Sequence, residues 1–487
     1  MRLNNKMSDS LRSKTIKGVA WSLLERFAVQ GTQFVVMIIM ARLLTPHDYG
    51  LVGLLVVFIA VSQSLVDSGF SQALIRKQDR KAVDNATVFY FNIVVGVVLY
   101  LLLFFSAPAI ARFYEEPQLI QITRLLGLSV VINSLVVVQR ALLMSNINFR
   151  VITIAAFVAA LLSGIVGIWM AYKGYGVRSI VAQQLLNLGI NAVLLWIMSK
   201  WRPVWAYSWK SFREMFGFGS KLLASGLIAT IYNNLYLIII GKVFSATDLG
   251  YYTRAHQFSD FPSANMTSVL QRVTYPVLCQ MQDDDVRLES SYRRLLRTSG
   301  FLIFPLLTGL GAVSVPLVLL LLKEQWLFVA TLLPILCLNM MWYPIHAINL
   351  NLLQVKGRSD LYLRLEIIKK IIGVGVIVVT IPFGVVTMCW GSVATSLIGL
   401  VINTYYTGKL INVGFFVQVR DLFPSFVLSI AMAIAVYLLV SFMPAGHLAQ
   451  LVSGIGFGVA MYCAIAYLFK FKEVEYIKSL KLIRKHG

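Results

Sequence analysis

The sequence predicts an all-α polytopic membrane protein with about fourteen transmembrane helices, arranged as two parallel six-helix repeats around a central cavity plus two C-terminal helices. Three observations predict this fold class. Hydrophobic residues form 58% of the 487-residue chain and charged residues only 13%, whereas soluble domains have about 25% charged residues. Apolar runs of membrane-spanning length recur along the chain. A ten-residue segment also recurs, 200 residues further on.

Each apolar run is long enough to cross about 30 Å of hydrocarbon as a helix. A helix is required because backbone polar groups in lipid need hydrogen-bond partners within the segment. Several runs begin or end at proline or glycine, which is typical of tight turns at the membrane surface. The predicted segments are 17–43, 49–70, 84–107, 118–140, 150–172, 177–199, 217–241, 249–278, 294–322, 326–354, 361–382, 385–408, 422–443 and 448–469.

The distribution of lysine and arginine predicts the orientation. The connections on the side of the two termini carry 30 of these residues, and the opposite connections carry 6. Positive residues concentrate on the cytoplasmic side of membrane proteins, so both termini are expected in the cytoplasm. Two connections on that side are longer than the rest. Residues 200–216 mix tryptophan with basic residues and are typical of an amphipathic interfacial linker, while residues 279–297 are interpreted as a polar loop.

The internal repeat divides the chain into two sets of six segments. Residues Ala41–Gly50 match Gly241–Gly250 without a gap, and both copies end in Asp-x-Gly at the turn between the first two segments of a set. Gly176-Val177 and Gly384-Val385 likewise open the sixth segment of each set. Parallel repeats of this kind are a transporter architecture with a cavity between the halves. The predicted domains are an N-terminal lobe at 1–199, the linker at 200–216, a C-terminal lobe at 217–408, and the last two helices with a basic tail at 409–487.

Polar and ionisable side chains inside the spans predict where that cavity lies, because a charge at membrane depth usually faces a cavity or a partner. Segments 1, 7 and 8 each carry such residues at helical spacing. Cations outnumber acids among them, so a water-filled cavity would attract an anion such as a phosphate. The predicted cationic residues are Arg26, Arg124, Lys221, Arg254, Arg272 and Lys370; the predicted polar residues are Gln30, Gln33, Asn233, Gln257 and Asn265; the candidates for ion coupling are Glu25, Asp67 and Glu366.

Each of these residues also has a structural interpretation. Asp67, Arg124 and Arg272 can lie near an interface and snorkel to the headgroups. Glu25 beside Arg26 can form a structural ion pair, and Glu366 can reach either Lys369 or Lys370 from one turn away. His346 is interpreted as a hydrogen-bonded packing residue rather than a functional one. The sequence leaves these alternatives open.

Motifs for other functions are absent. The chain has no P-loop, no HExxH or GxSxG motif, and no cysteine–histidine cluster, so neither ATP hydrolysis nor a bound metal or cofactor is expected. The four cysteines are scattered within apolar segments. The net charge of +22 lies mainly between the spans, which points to membrane topology and anionic phospholipid rather than to nucleic acid. A transporter is therefore expected, and not an enzyme.

The N-terminal part resembles the polysaccharide transporter family of the multidrug/oligosaccharidyl-lipid/polysaccharide exporter superfamily, and most of all its colanic-acid exporter type. The resemblance lies in Lys17–Ser22, Ala41–Gly50 and Asp67–Ile75. These proteins are bacterial O-antigen and exopolysaccharide flippases. The resemblance implies a plasma-membrane flippase that moves an undecaprenyl-diphosphate-linked oligosaccharide from the inner to the outer leaflet by alternating access. It also implies polysaccharide polymerase and chain-length proteins as partners.

Flippases of peptidoglycan precursors in the same superfamily use a charged first helix and cavity arginines. Their counterparts here, by helix and chemistry, are Glu25, Arg26, Lys221, Arg254 and Arg272. Two other functions stay open. A cation-coupled multidrug exporter of the same superfamily is disfavoured because such a protein should have an acidic cavity. A membrane-embedded polysaccharide polymerase or ligase is disfavoured because this chain lacks a large loop outside the membrane.

Overall fold

The computed structural model describes residues 28–474 except positions 68 and 78, and leaves out the side chains of residues 272 and 273. All regular secondary structure in this part of the chain is helical. Ten of its helices are long and apolar enough to span a membrane, and a bent helix pair raises the number to eleven. The protein is therefore a polytopic, all-helical membrane protein.

The chain divides into two compact units, Met1–Gly250 and Tyr251–Gly487. Helix α11 crosses this division. In the first unit, α2 packs against α4, α5, α8, α9 and α10. The first helices are α1 (Ala28–Leu43), α2 (Pro46–Asp67), α3 (Phe70–Arg76), α4 (Ala82–Tyr114), α5 (Leu119–Ser134), α6 (Val137–Ser145), α7 (Phe149–Tyr172), α8 (Val177–Met198), α9 (Trp209–Asn233), α10 (Leu235–Val243) and α11 (Ala246–Cys279).

In the second unit, α12 packs against α14, α15 and α18, and α17 packs against α14, α15 and α16. The Ser263 hydroxyl of α11 donates a hydrogen bond to the Met340 carbonyl at 2.7 Å and so ties α11 to the end of α14. The remaining helices are α12 (Asp285–Ala312), α13 (Ser314–Leu322), α14 (Leu327–Met340), α15 (Tyr343–Val355), α16 (Ser359–Thr380), α17 (Val385–Ile411), α18 (Phe415–Phe442) and α19 (His447–Leu468).

Every predicted segment that lies wholly among the described residues coincides with one helix or with two helices separated by a short break. The breaks lie between α5 and α6, α9 and α10, α12 and α13, and α14 and α15. At the α9–α10 break, the Asn234 side chain donates to the Thr230 carbonyl at 2.8 Å. That bond satisfies a carbonyl near the end of α9, which is the usual requirement where a helix is interrupted.

Two connections differ from the sequence prediction. Helix α9 begins at Trp209, inside the predicted linker 200–216, because Ser208 caps it by accepting a hydrogen bond from the Ser211 amide. Helix α12 begins at Asp285, so most of the predicted loop 279–297 is helical; Asp284 caps it by accepting from the Arg287 amide at 3.0 Å. Both helices start in polar sequence outside the apolar run, where hydropathy carries no helix signal.

The two copies of the repeated segment make the same local hydrogen bonds. The Thr45 hydroxyl donates to Asp48 Oδ2 at 2.7 Å and accepts from the Asp48 amide at 3.2 Å. The Ser245 hydroxyl donates to Asp248 Oδ2 at 2.6 Å and accepts from the Asp248 amide at 3.0 Å. In each copy the N-cap hydroxyl thus accepts from the N3 amide, which is one of the two bonds of a capping box, and this bond sets the start of α2 or α11.

Candidate functional site

Three of the predicted site residues lie outside what the structure describes. Glu25 and Arg26 precede the first described residue, and the side chain of Arg272 is left out. The structure therefore bears on the remaining eleven predicted residues.

The polar stripe predicted for segment 8 lies on α11. Arg254, Gln257 and Asn265 are all half-buried on this one helix. The Asn265 amide donates to the Phe261 carbonyl at 2.7 Å, while its Oδ1 atom is buried and has no hydrogen-bond partner among the described residues. A buried carbonyl oxygen without a partner is costly. This stripe therefore combines a half-buried guanidinium with a buried amide oxygen that has no hydrogen-bond partner among the described residues.

The described predicted residues of segments 1 and 7 lie on α1 and α9 of the first unit. Gln30 is half-buried with its Oε1 atom buried and unbonded among the described groups, whereas Gln33, Lys221 and Asn233 are exposed. Helix α9 buries only Met215 and Gly219. Most of its surface, including the Lys221 ammonium, is thus accessible.

Arg124 on α5 takes part in a cation–π contact. Its guanidinium carbon lies 4.3 Å from the centroid of the Phe104 ring on α4. The arginine is half-buried, and its Nε atom is buried with no hydrogen-bond partner among the described residues. Stacking on an aromatic face stabilises a guanidinium that is withdrawn from water.

The two described candidates for ion coupling have local partners. Asp67 at the end of α2 accepts hydrogen bonds from the hydroxyl and the amide of Ser71, and so caps the start of α3. Glu366 forms an ion pair with Lys369 one turn further along α16, while the neighbouring Lys370 is half-buried. The Glu366–Lys369 pair is one of the structural alternatives that the sequence left open, whereas the cap formed by Asp67 was not among them.

His346 is hydrogen-bonded, as predicted. Its Nε2 atom lies 3.0 Å from the Ser396 hydroxyl and its Nδ1 atom 3.1 Å from the Asn403 amide nitrogen, both on α17. The ring therefore joins α15 to α17.

Sequence reasoning missed two polar clusters of the second unit. Asp421 on α18 binds Arg293 on α12 through two hydrogen bonds of 2.7 and 3.0 Å. Gln418, one turn before it, lies in a fully buried network with Tyr292 and Asn349. A signal was present, since a carboxylate and an amide open the apolar segment 13. Their partners lie more than 60 residues away, which a single sequence does not reveal.

Comparisons with known proteins identify the family. The profile described as "Polysaccharide biosynthesis protein" matches residues 39–331, which is more than half of the chain.

The chain belongs to the polysaccharide biosynthesis protein family.

Relatives of this family member cover most of its length. The teichuronic acid biosynthesis protein TuaB of Bacillus subtilis (strain 168) is 24% identical over 432 residues, 88% of this chain and 89% of TuaB. The lipopolysaccharide biosynthesis protein WzxC of Escherichia coli (strain K12) is 25% identical over 372 residues, 76% of each chain. These matches confirm the predicted transporter family, and the protein is a membrane transporter of polysaccharide biosynthesis rather than an enzyme.

Solved structures of the multidrug/oligosaccharidyl-lipid/polysaccharide superfamily share the fold. The lipid II flippase MurJ in an inward closed conformation aligns with a TM-score of 0.73 at 13% identity, over 94% of this chain and all of MurJ. An inward-facing multidrug resistance transporter of the MATE family aligns with a TM-score of 0.61 at 15% identity, over 80% of this chain and 98% of that chain. At such identities the similarity concerns the fold alone.

Proposed function

We propose that this protein is a flippase that moves an undecaprenyl-diphosphate-linked oligosaccharide from the inner to the outer leaflet of the bacterial plasma membrane. Transport occurs by alternating access and supplies units for O-antigen, capsule or exopolysaccharide. The observation that carries the proposal is membership of a family whose relatives are named for lipopolysaccharide and teichuronic acid biosynthesis. Its fold, similar to that of a lipid II flippase, supports a lipid-linked cargo.

The topology of the proposal has fourteen crossings with both termini in the cytoplasm. Ten helices meet the length and composition of a span. The others of the fourteen are α1, the bent pair α5–α6, α11 and α16. The last two carry four charged residues of the candidate site, Arg254 and Arg272 on α11 and Glu366 and Lys370 on α16, so their low apolarity agrees with a cavity-facing role.

The proposal also includes two parallel six-helix repeats. Equivalent helices start at similar offsets along the chain: α2 and α11 at Pro46 and Ala246, α5 and α14 at Leu119 and Leu327, and α8 and α17 at Val177 and Val385. The repeated N-cap hydrogen bonds of α2 and α11 support the same pairing. Parallel repeats of this kind are a transporter architecture.

In the proposed site, cationic side chains bind the diphosphate while the lipid tail stays in the bilayer. The half-buried Arg254 of α11 offers a planar fork of donors that matches phosphate oxygens. Glu25 positions Arg26 or takes part in ion coupling. Glu366 also takes part in ion coupling. The remaining proposed contacts to the diphosphate are Arg26, Arg124, Lys221, Arg272 and Lys370.

Replacing Arg254 by alanine should reduce surface polysaccharide by about tenfold or more, because charge-assisted hydrogen bonds contribute about 1.5–3 kcal/mol each. Arg26→Ala should act similarly, and Arg254→Lys should retain part of the function. The measurement is polysaccharide at the surface of cells that lack the native gene, normalised to protein level in the membrane.

The matched control is Arg178→Ala, since Arg178 is exposed and its guanidinium donates a hydrogen bond to the Gln121 side chain at 3.2 Å. Normal polysaccharide with both Arg26→Ala and Arg254→Ala would refute the site. Altered susceptibility to cationic drugs on gene deletion, with intact polysaccharide, would instead favour a multidrug exporter.

A further inference from the structure

The first turns of α2 and α11 touch backbone to backbone. A Cβ atom placed on Gly50 would lie 1.6 Å from the Ala246 carbonyl oxygen, and one placed on Gly250 would lie 1.9 Å from the Pro46 carbonyl oxygen. The contact is reciprocal, because each glycine of one repeat copy meets the residue that begins the other helix. Only hydrogen fits at either position. By contrast, a Cβ atom placed on Gly189 of α8 would meet no described group beyond its own helix backbone within 4 Å.

The turn between α4 and α5 contacts one further residue in each copy of the repeated segment. Lys242, at the end of α10, donates to the Phe113 carbonyl at 2.6 Å and pairs with Glu115 at 3.2 Å. His47, in the first turn of α2, lies 2.9 Å from Glu116. Glu115 has a left-handed backbone with φ of 60°, a conformation that non-glycine residues rarely adopt. The turn is thus shaped to present two adjacent carboxylates, one to each copy.

We propose that this cluster, comprising Gly50, Gly250 and the Lys242–Glu115 pair, is the contact that closes the extracytoplasmic side during the transport cycle. The inference rests on the proposed function and on the orientation expected from the lysine and arginine distribution. Each of the two turns carries one of the six positive residues on the side opposite to the termini, Arg42 or Lys242. The cluster forms when that side is shut and separates when the cargo leaves.

The composition of the cluster suits a contact that must open repeatedly. Glycine backbones meet without interlocking side chains, so they separate without any change of rotamer. The Lys242 and Glu115 side chains are 37% and 83% exposed, and ion pairs this accessible contribute little net stability. The glycines therefore set how closely the two helices approach each other, while the ion pair adds only a little stability to the contact.

The competing interpretation is permanent packing of α2 against α11, and accessibility from outside the cell distinguishes the two. The probe is a membrane-impermeant maleimide that labels a reporter, Ser225→Cys, in a protein whose four native cysteines are replaced by alanine. Ser225 is exposed in the middle of α9. The variants Gly50→Ala and Gly250→Ala prevent the close approach, and Gly189→Ala is the control with the same gain in helix propensity.

If the cluster is a closure, Gly50→Ala and Gly250→Ala should each raise the labelling rate about tenfold and lower surface polysaccharide at normal protein level. Gly189→Ala should change neither. Unchanged labelling in both cluster variants would overturn the proposal. If labelling increases in the cluster variants but the parent protein does not transport a lipid-linked glycan, the proposed function is refuted and the proposed closure stands.

A second pair of variants decides the matter if an alanine variant does not accumulate in the membrane. Lys242→Glu and Glu115→Lys each place like charges at the ion pair, and should raise labelling about threefold, a smaller effect because the pair is exposed. The double variant restores opposite charges and should return labelling to that of the parent. Equal labelling in all three would also overturn the proposal.

Discussion

Replacing Asp421 by asparagine is expected to lower the free energy of unfolding of the second unit by about 3 kcal/mol. The Asp421 carboxylate is 7% exposed and lies 2.7 Å from Arg293 Nε and 3.6 Å from Arg297 Nη1. Arg297 also lies 3.5 Å from Glu473, just after α19. Neutralising Asp421 would leave two half-buried guanidinium groups of α12 without their shared partner. The melting temperature of the detergent-solubilised protein, followed by size-exclusion chromatography, measures the loss.

Asp360→Asn is the matched control for this change. Asp360 also forms a bidentate pair, with Arg358 at 3.0 and 2.9 Å, but its side chain is 62% exposed. Exposed pairs contribute about 0–1 kcal/mol, so this variant should melt close to the parent. Equal melting of both variants would show that the cluster around Asp421 does not stabilise the protein.

Gln418→Leu should cost about as much, roughly 3 kcal/mol, because leucine leaves several buried polar groups unsatisfied. The Gln418 amide nitrogen lies within 3.0–3.2 Å of Asn349 Oδ1, the Thr407 and Tyr292 hydroxyls and the Val413 carbonyl. Its Oε1 atom accepts from the Asn349 amide at 3.1 Å. The network joins α12, α15, α17 and α18, so its loss should loosen four helices at once. Thermal unfolding of the solubilised protein tests this.

Two further variants test whether the loss of stability depends on burial and on the number of hydrogen bonds removed. Tyr292→Phe removes one hydroxyl from the same network and should cost about 1 kcal/mol. Gln450→Leu changes a half-buried glutamine at the start of α19, whose amide nitrogen donates to the Val440 and Met443 carbonyls at 3.4 and 3.1 Å and whose Oε1 atom lies 3.1 Å from His447 Nδ1. It should therefore be milder than Gln418→Leu. If the losses in the free energy of unfolding do not rank with burial and with the number of hydrogen bonds removed, the assignment of the network is contradicted.

Hydropathy predicted the helices well wherever they lie in the membrane and less well where they leave it. The predicted starts at 150 and 177 are within one residue of α7 and α8. The starts of α9 and α12 were missed by about two turns, because Ser208 and Asp284 cap these helices in polar sequence. The apolar run records where a helix meets lipid, whereas the cap decides where it begins.

Residue type and spacing predicted the position of some candidate-site residues but not their hydrogen-bond and ion-pair partners. The spacing of Arg254, Gln257 and Asn265 placed them on one helix, which the structure confirms. It did not indicate that Asp67 caps α3 through Ser71, or that Glu366 pairs with Lys369. Periodicity assigns a side chain to a face of its helix, but a hydrogen bond depends on a rotamer and a neighbour that periodicity does not contain.

The repeated Asp-x-Gly segment shows what the sequence determines about this protein and what only the tertiary structure determines. By itself the sequence established the membrane class and the two matching turns 200 residues apart, and it predicted the spans. The sequence offered no reason for the glycine in either copy. Only the tertiary structure supplied it, because Gly50 and Gly250 each meet the backbone carbonyl that begins the opposite helix. The spans follow from local hydrophobicity, whereas the need for glycine comes from a second backbone brought within contact distance by folding.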